Sequence, residues 1–488
     1  MKNQKLTRRN FLTLSAGAAI GSWLAACGTT APAVEKPAEA EKAGEAAEAA
    51  ATSEAAAPAP EQVTISFSGW GQGEEEQGIR DAIKVFEEQN PDIKMEFVHI
   101  PDPGAYNDKV LSMVAAGTPP DVGFVQFDVF NTFVRDKLLL DITDLLKADP
   151  VIGKPGYFIE PQETQRCTVE GRWYGIGSCW VAPHIYYNGD VFEKEGIEPP
   201  SNDPEQAWDW DHFLQVATQL TVDSAGKHPG DSGFDINNVQ RWGVHWPTWW
   251  IPIHSAIASN GGEWIDRDSG LLALDKPEAI EAIQNIADLM LKQQVMPLSA
   301  DTSVGGMASS QMLEAGTIAM VVGGSWGLAW MHKIKAKLGT AVLPKMKQPA
   351  TNMQAHLDGM FAGTKKPDAG WKWMAFLATE FYQLQFLKIG LWLPSQTALM
   401  TPEGMKKWYT VRTSPTEGVH PEGYDLIVTE YVPKYGHVLY MPPGWSKADA
   451  IVTPALQSVW VGDQTAEEAM SAVVPEANAA LEAEQKKG

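Results

Sequence analysis

Residues 63–127 read VTISFSGWGQGEEEQGIRDAIKVFEEQNPDIKMEFVHIPDPGAYNDKVLSMVAAGTPPDVGFVQF, and their periodicity decides the fold class. The opening Val63-Thr64-Ile65-Ser66-Phe67 alternates and is β-branched, which predicts a strand ending at Gly69-Trp70-Gly71. Ile79, Ile83, Val85 and Phe86 then follow a helical pattern that stops at Asn90-Pro91, where proline breaks it. Ile93 to Ile100 reads as a second strand and Val110 to Ala115 as a second helix. After the turn Thr118-Pro119-Pro120, Asp121 to Phe127 reads as a third strand. Strands alternating with helices predict βαβ units, a mostly parallel sheet and an α/β fold. Sites in such sheets form beyond the carboxyl ends of strands, which here carry Trp70 and the region from Gln126 to Asp128.

Outward from this core, the bulk numbers narrow the field. A chain of 488 residues is too long for one ordinary core and predicts two packed bodies. Lys plus Arg number 38 against 61 Asp plus Glu, a net charge of −23, which excludes a nucleic-acid partner because phosphate binding needs a basic face. There are three cysteines, too few for a disulfide framework, and Cys167 and Cys179 are left open as a pair. No HExxH, P-loop or dinucleotide fingerprint occurs, and the ten histidines set up no recognised metal spacing, so neither cofactor nor metal is expected.

The amino-terminal stretch is read as an address. Residues 1–27 place a basic segment before a short run of small apolar residues, the layout of an export signal. Thr7-Arg8-Arg9-Asn10-Phe11-Leu12 resembles a twin-arginine signal, and Leu24-Ala25-Ala26-Cys27 resembles a lipobox, which implies lipidation of Cys27. Residues 28–61 are rich in Ala, Glu and Pro and have too little to bury to offset their ordering entropy, so a disordered tether is expected. The expectation is an exported protein anchored by lipid to the outer face of the cell membrane.

The order of segments resembles the family 1 extracellular solute-binding proteins of bacterial ABC importers, the maltose-binding-protein-like group. The matching stretches include VTISFSGWG, FEEQNPDIKMEF, YNDKVLSMVAAGTPPDVGFVQFD, LLLDITDLL, GRWYGIGSCWVAPHIYYNGDVFEKEGI, AWDWDHFLQVATQL, EAGTIAMVVGGSW, VLPKMK and TAEEAM. The resemblance implies a two-lobed, type II-like periplasmic-binding-protein fold, with mixed sheets flanked by helices and three hinge crossings near residues 174–186, 352–362 and 434–443. Residues 62–180 and 357–437 would form lobe 1, and 181–356 and 438–488 lobe 2. It further implies a monomeric binding module, not an enzyme, that captures a carbohydrate between its lobes and presents it to the permease's transmembrane subunits.

Nineteen tryptophans bear on the ligand, because aromatic rings cover the C–H faces of sugars while polar groups meet the hydroxyls. Carried over onto matching positions, the resemblance implies ligand contact for Trp70, Asp128, Trp180, Trp249, Trp250, Trp326 and Trp445, with Gln126 and Asp358 as additional polar candidates. Trp208, Trp210, Trp371 and Trp373 sit on helical segments and read as packing residues. The competing reading is a lipid-anchored hydrolase: Gly323-Gly324-Ser325-Trp326-Gly327 fits G-x-S-x-G, with Asp358 and His437 following in triad order. A glycosidase with paired carboxylates is the other enzyme reading, since their spacing is spatial and not sequential.

Overall fold

The computed structural model describes residues 62–298 and 306–487; the signal, Cys27 and the tether lie outside the described residues. The predicted opening is present. Strand β1 (Val63–Gly69) buries Ile65 and Phe67, and helix α1 (Glu74–Gln89) sets three glutamates at its positive end and turns Ile79, Ala82 and Phe86 inward. Strand β2 (Ile93–His99) lies parallel to β1. Helix α2 (Pro103–Ala115) starts where the Asp102 carboxylate accepts from the Gly104 N–H and proline takes the first turn.

Strand β3 (Val122–Val125) ends earlier than the sequence suggests, and helix α3 (Phe127–Arg135) begins at once. Phe130 and Phe133, three apart, go into the core, so a helical period replaces the strand period from Phe127 onward. Asp128 therefore occupies the first turn of a helix, where a carboxylate complements the dipole, instead of closing a strand.

The chain then crosses to a second sheet. It enters through β4 (Pro183–Asn188) and continues with β5 (Val222–Asp223), β6 (Val239–His245), helix α4 (Trp250–Ser259), helix α5 (Pro277–Leu291), β7 (Ile318–Gly324) and β8 (Leu338–Ala341). It returns past the short β9 (Thr351–Asn352) to β10 (Leu357–Met360) and helix α6 (Pro367–Leu377). A last passage runs through β11 (Gly436–His437) into helices α7 (Trp445–Trp460) and α8 (Ala466–Gln485). The first sheet has the order β10-β3-β1-β2 and the second β8-β4-β7-β6-β5. Both are mixed: β10 runs antiparallel to β3, and β4 antiparallel to β7 and β8.

The passages between sheets hold on to one another. Val181 and Gln354 form an antiparallel bridge, and β9 pairs in parallel with β11. Arg412 donates to the carbonyls of His332 and Ile334, Asn202 donates to Glu422 O, and the Tyr435 hydroxyl donates to Glu205. These bonds hold residues 409–435 against the segments around Asn202, Glu205 and His332 to Ile334, while Gln162 Nε2 donates to Pro433 O.

Candidate functional site

One wall stands at the carboxyl ends of β1 and β3. The half-buried Trp70 ring meets Tyr106 and Phe124 edge-on, each at 4.9 Å between centroids, and His356 at 5.1 Å. Tyr106 is fixed in turn by a 2.6 Å hydrogen bond between its hydroxyl and that of Ser68. The Gln126 amide donates to Pro103 O at 2.6 Å and accepts from Asn107 Nδ2 at 3.2 Å, so its polar atoms are engaged within the lobe. Asn107 also reaches Asp128 Oδ1 at 3.4 Å. Burial raises the Asp128 carboxyl above the usual range, Asn107 pulls it back, and Asp449 on α7 pushes it up a little further.

The facing wall is aromatic. Trp249 caps α4 in extended backbone and stays 42% exposed, Trp250 opens the helix, and Trp326 follows β7. Trp249 lies 5.7 Å from Trp250 and 6.1 Å from Trp326, ring centre to ring centre. Gly324 is required here: a Cβ at that position would fall 2.0 Å from the Trp326 ring. Trp249 and Trp326 border a hollow of about 370 Å³ whose lining includes Tyr186, His245, Trp330 and Met331. The two walls meet where the Phe127 and Trp250 rings pack at a tilt of 46°, 4.7 Å between centroids. Asn131 Nδ2, donating to Met441 O at 2.7 Å, and an Arg135–Glu484 ion pair tie α3 to the other side.

A larger hollow of about 840 Å³ opens at the far end of the second sheet, among Tyr187, Lys337 and Arg412. It includes none of the predicted site residues, and size alone gives it no claim.

Three predicted residues stand away from the walls. Trp180 is fully buried, with the Arg166 guanidinium 3.6 Å above its ring, and Trp445 is 5% exposed against Trp264. Asp358 is fully buried on β10, its oxygens without a hydrogen bond of good geometry. Burial pushes it up to about 7, a rise that Ser178 and Arg166 only partly offset. The same interior holds Glu163, which accepts from Arg166 Nη2 at 2.8 Å and from the Gly177 N–H at 2.6 Å. Trp373, expected to pack, is fully buried.

Sequence reasoning missed Phe127, His245 and Trp330. His245 closes β6 as Trp70 follows β1, so the strand-end rule applied to the second sheet would have found it. Trp330 lies four residues after Trp326, on the same helical face. The hydrolase constellation is not assembled. Ser325 is 1% exposed, its hydroxyl accepts from the Ala182 N–H at 3.3 Å, and none of its hydrogen bonds reaches Asp358 or His437. Among the described residues no group of three or more His, Cys, Asp or Glu is placed to hold a metal, and no helix is long and apolar enough to cross a membrane.

Two mixed sheets flanked by helices, with aromatics at their strand ends that meet at Phe127 and Trp250, define a two-lobed receptor of the periplasmic-binding type. The chain belongs to the bacterial extracellular solute-binding protein family, whose model matches residues 63–383. It is 24% identical over 390 residues to a Brucella abortus binding protein, covering 78% of this chain and 84% of that one. To the maltodextrin-binding protein MdxE of Bacillus subtilis it is 22% identical over 350 residues, 70% of this chain and 73% of the relative. Over 287 residues it is 24% identical to the arabinooligosaccharide-binding protein of Bacillus subtilis, covering 57% and 59% respectively. The fold resembles that of the substrate-binding protein Lmo0181 of Listeria monocytogenes in complex with cycloalternan (TM-score 0.71, 21% identity, 86% of this chain and 98% of that one). It also resembles maltose-bound MalE3 of T. maritima (TM-score 0.67, 20% identity, 85% and 99%).

Proposed function

We propose that this protein captures a sugar or oligosaccharide between its lobes and hands it to the permease of an ABC importer. The observation that carries the reading is the pair of strand-end walls, Trp70 and Asp128 on one side and Trp249, Trp250 and Trp326 on the other, joined at the Phe127–Trp250 contact. Indole faces cover the C–H faces of pyranose rings, while the Asp128 carboxylate suits hydroxyl donors. The names of its relatives, which speak of arabinooligosaccharides and maltodextrin, support the same class of ligand. A ligand that meets both walls favours the closed arrangement only by its greater affinity for it. The protein acts as a receptor without chemistry of its own, held to the membrane by lipid on Cys27.

Calorimetric titration of the exported chain with malto-, arabino- and xylo-oligosaccharides tests the reading. At least one series binds with a dissociation constant in the micromolar range or below, about −8 kcal/mol. Binding of a peptide or polyamine with no response to any sugar overturns it. Release of the Cys27→Ala chain from membranes is the outcome expected of the anchor.

A further inference from the structure

The second-lobe hollow contains polar groups that nothing yet described uses. His245 is 4% exposed, borders the hollow, and has neither ring nitrogen in a hydrogen bond. The Trp330 indole N–H, on the same lining, is likewise without an acceptor. Leaving three such atoms unmatched costs about 1–3 kcal/mol each, so they point to a partner that enters from outside. By contrast, the Tyr186 hydroxyl, also on the lining, already donates to Gly324 O at 2.9 Å and is spent. No Asp, Glu, Lys or Arg stands among the described residues of the lining.

We infer that this hollow is a subsite for an uncharged sugar ring, in which Trp326 covers one face while His245 and Trp330 read its hydroxyls. This rests on the sugar reading above and deepens it. A neutral imidazole offers one donor and one acceptor, and an indole offers one donor, a set that matches hydroxyls, which both donate and accept, and supplies no counter-charge to a carboxylate or an ammonium. Burial depresses His245 to about 4, so it meets the ligand uncharged at neutral pH. A charged sugar entering here loses its hydration and finds no counter-ion, so uronates, amino sugars and sugar phosphates are discriminated against. The Trp249 ring, exposed at the rim, lies where a second ring of an oligosaccharide would continue the stack.

The experiment is calorimetric titration of the exported chain with maltotriose, arabinotriose and xylotriose, against trigalacturonate as the charged counterpart. At least one neutral trisaccharide binds, and trigalacturonate binds about 100-fold more weakly or not at all. His245→Leu, which leaves hydroxyls unmatched, weakens the neutral sugar about 10- to 100-fold, whereas His245→Gln, which keeps a donor and an acceptor, recovers most of the loss. Trp330→Phe, which removes only the N–H, weakens it about 3- to 10-fold and keeps the inference testable should His245→Leu not fold. Neutral-sugar binding that His245→Leu and Trp330→Phe leave unchanged, or trigalacturonate binding of equal strength, overturns the subsite and leaves the sugar receptor standing. Failure of all four trisaccharides to bind overturns the receptor reading and the subsite together.

Discussion

Behind Trp70 in the first lobe lies a buried set of ionisable groups: Glu163 and Arg166 paired, Asp358 beside them, and Glu75 within electrostatic range of Cys179. In the second lobe His184, His245 and His254 are buried and depressed by burial to about 3, 4 and 3, and the charged residues buried in its sheet, Asp223 on β5 and Arg241 on β6, do not line the hollow beside Trp326. Both walls present tryptophans at strand ends, so the aromatic surface is common to them and the charge is not. The first lobe can position a carboxylate, Asp128, against hydroxyls. The second can only stack and exchange neutral hydrogen bonds. Under the proposed function, one polar and one apolar wall would orient a ligand that has both kinds of face.

Acid offers the largest test of this contrast. The buried histidines of the native state stay neutral down to about 3 or 4, while in the unfolded chain they take up protons near 6.5. His356 and His420, at about 3 and about 4, behave alike. Stability from these groups is complete above about 6.5 and is lost as pH falls below it. The carboxyls of Glu75 and Asp358, raised to about 7, act in the other direction: the native state keeps their protons as pH rises from about 4 to 7, and stability declines over that window. Five histidines outweigh two carboxyls, so stability falls between pH 6.5 and pH 5 by several kcal/mol, on the scale of about 1.4 kcal/mol per pKa unit. Urea unfolding at both values measures it. Equal stability would mean that the histidines gain partners the geometry does not contain.

The next effect concerns the first lobe alone. Arg166 has 3% of its side chain exposed, pairs with the fully buried Glu163, and covers Trp180. Replacing it by Met leaves a buried carboxylate without its counter-charge and costs about 3–5 kcal/mol in denaturant unfolding. Adding Glu163→Gln returns part of that loss, because the uncompensated charge is removed. Gly177 belongs to the same construction, since a Cβ there would fall 1.5 Å from Arg166 Nη2. A loss below about 1 kcal/mol would show that water reaches the pair.

In the second lobe the matching change is Trp326→Ala, which removes the stacking face and leaves the lobe's core in place. It lowers sugar affinity by about 2 kcal/mol, close to thirtyfold, while the unfolding midpoint shifts little. Trp70→Ala weakens binding less cleanly, because its ring also supports Tyr106, Phe124 and His356. An equal, purely binding effect of the two substitutions would erase the distinction between the walls.

What the sequence pattern could and could not place divides along the same line. Trp70, Trp249, Trp250 and Trp326 were legible because strand ends and loop starts are local features of the pattern. Trp180 and Trp445 lie in equally plausible loops, yet each is buried by a residue distant in sequence, Arg166 and Trp264 respectively. No local pattern encodes that. The start of α3 at Phe127 was hidden because Val122 to Phe127 is apolar apart from Gln126, and only Phe130 and Phe133 reveal the change of period. Residues 409–435 have little periodicity, and what they pack against depends on single hydrogen bonds such as those of Arg412.

The smallest expected effect returns to Asp358. At pH 6 its carboxyl is mostly protonated, so Asn is nearly isosteric and isoelectronic in charge, and Asp358→Asn changes unfolding stability by less than about 1 kcal/mol. At pH 8 the native wild-type chain must hold the ionised carboxylate in the interior or spend free energy keeping it protonated, and Asn has neither difficulty. The variant therefore gains stability relative to wild type as pH rises from 6 to 8, the opposite sign from an ordinary loss of a buried polar contact. Sugar affinity stays unchanged in both conditions, because Asp358 is enclosed within the first lobe and its carboxylate does not reach the cleft. A large loss of affinity in Asp358→Asn with unaltered stability would instead carry the ionisable set of the first lobe into ligand binding, and the contrast between a charged interior and a neutral wall would have to be redrawn.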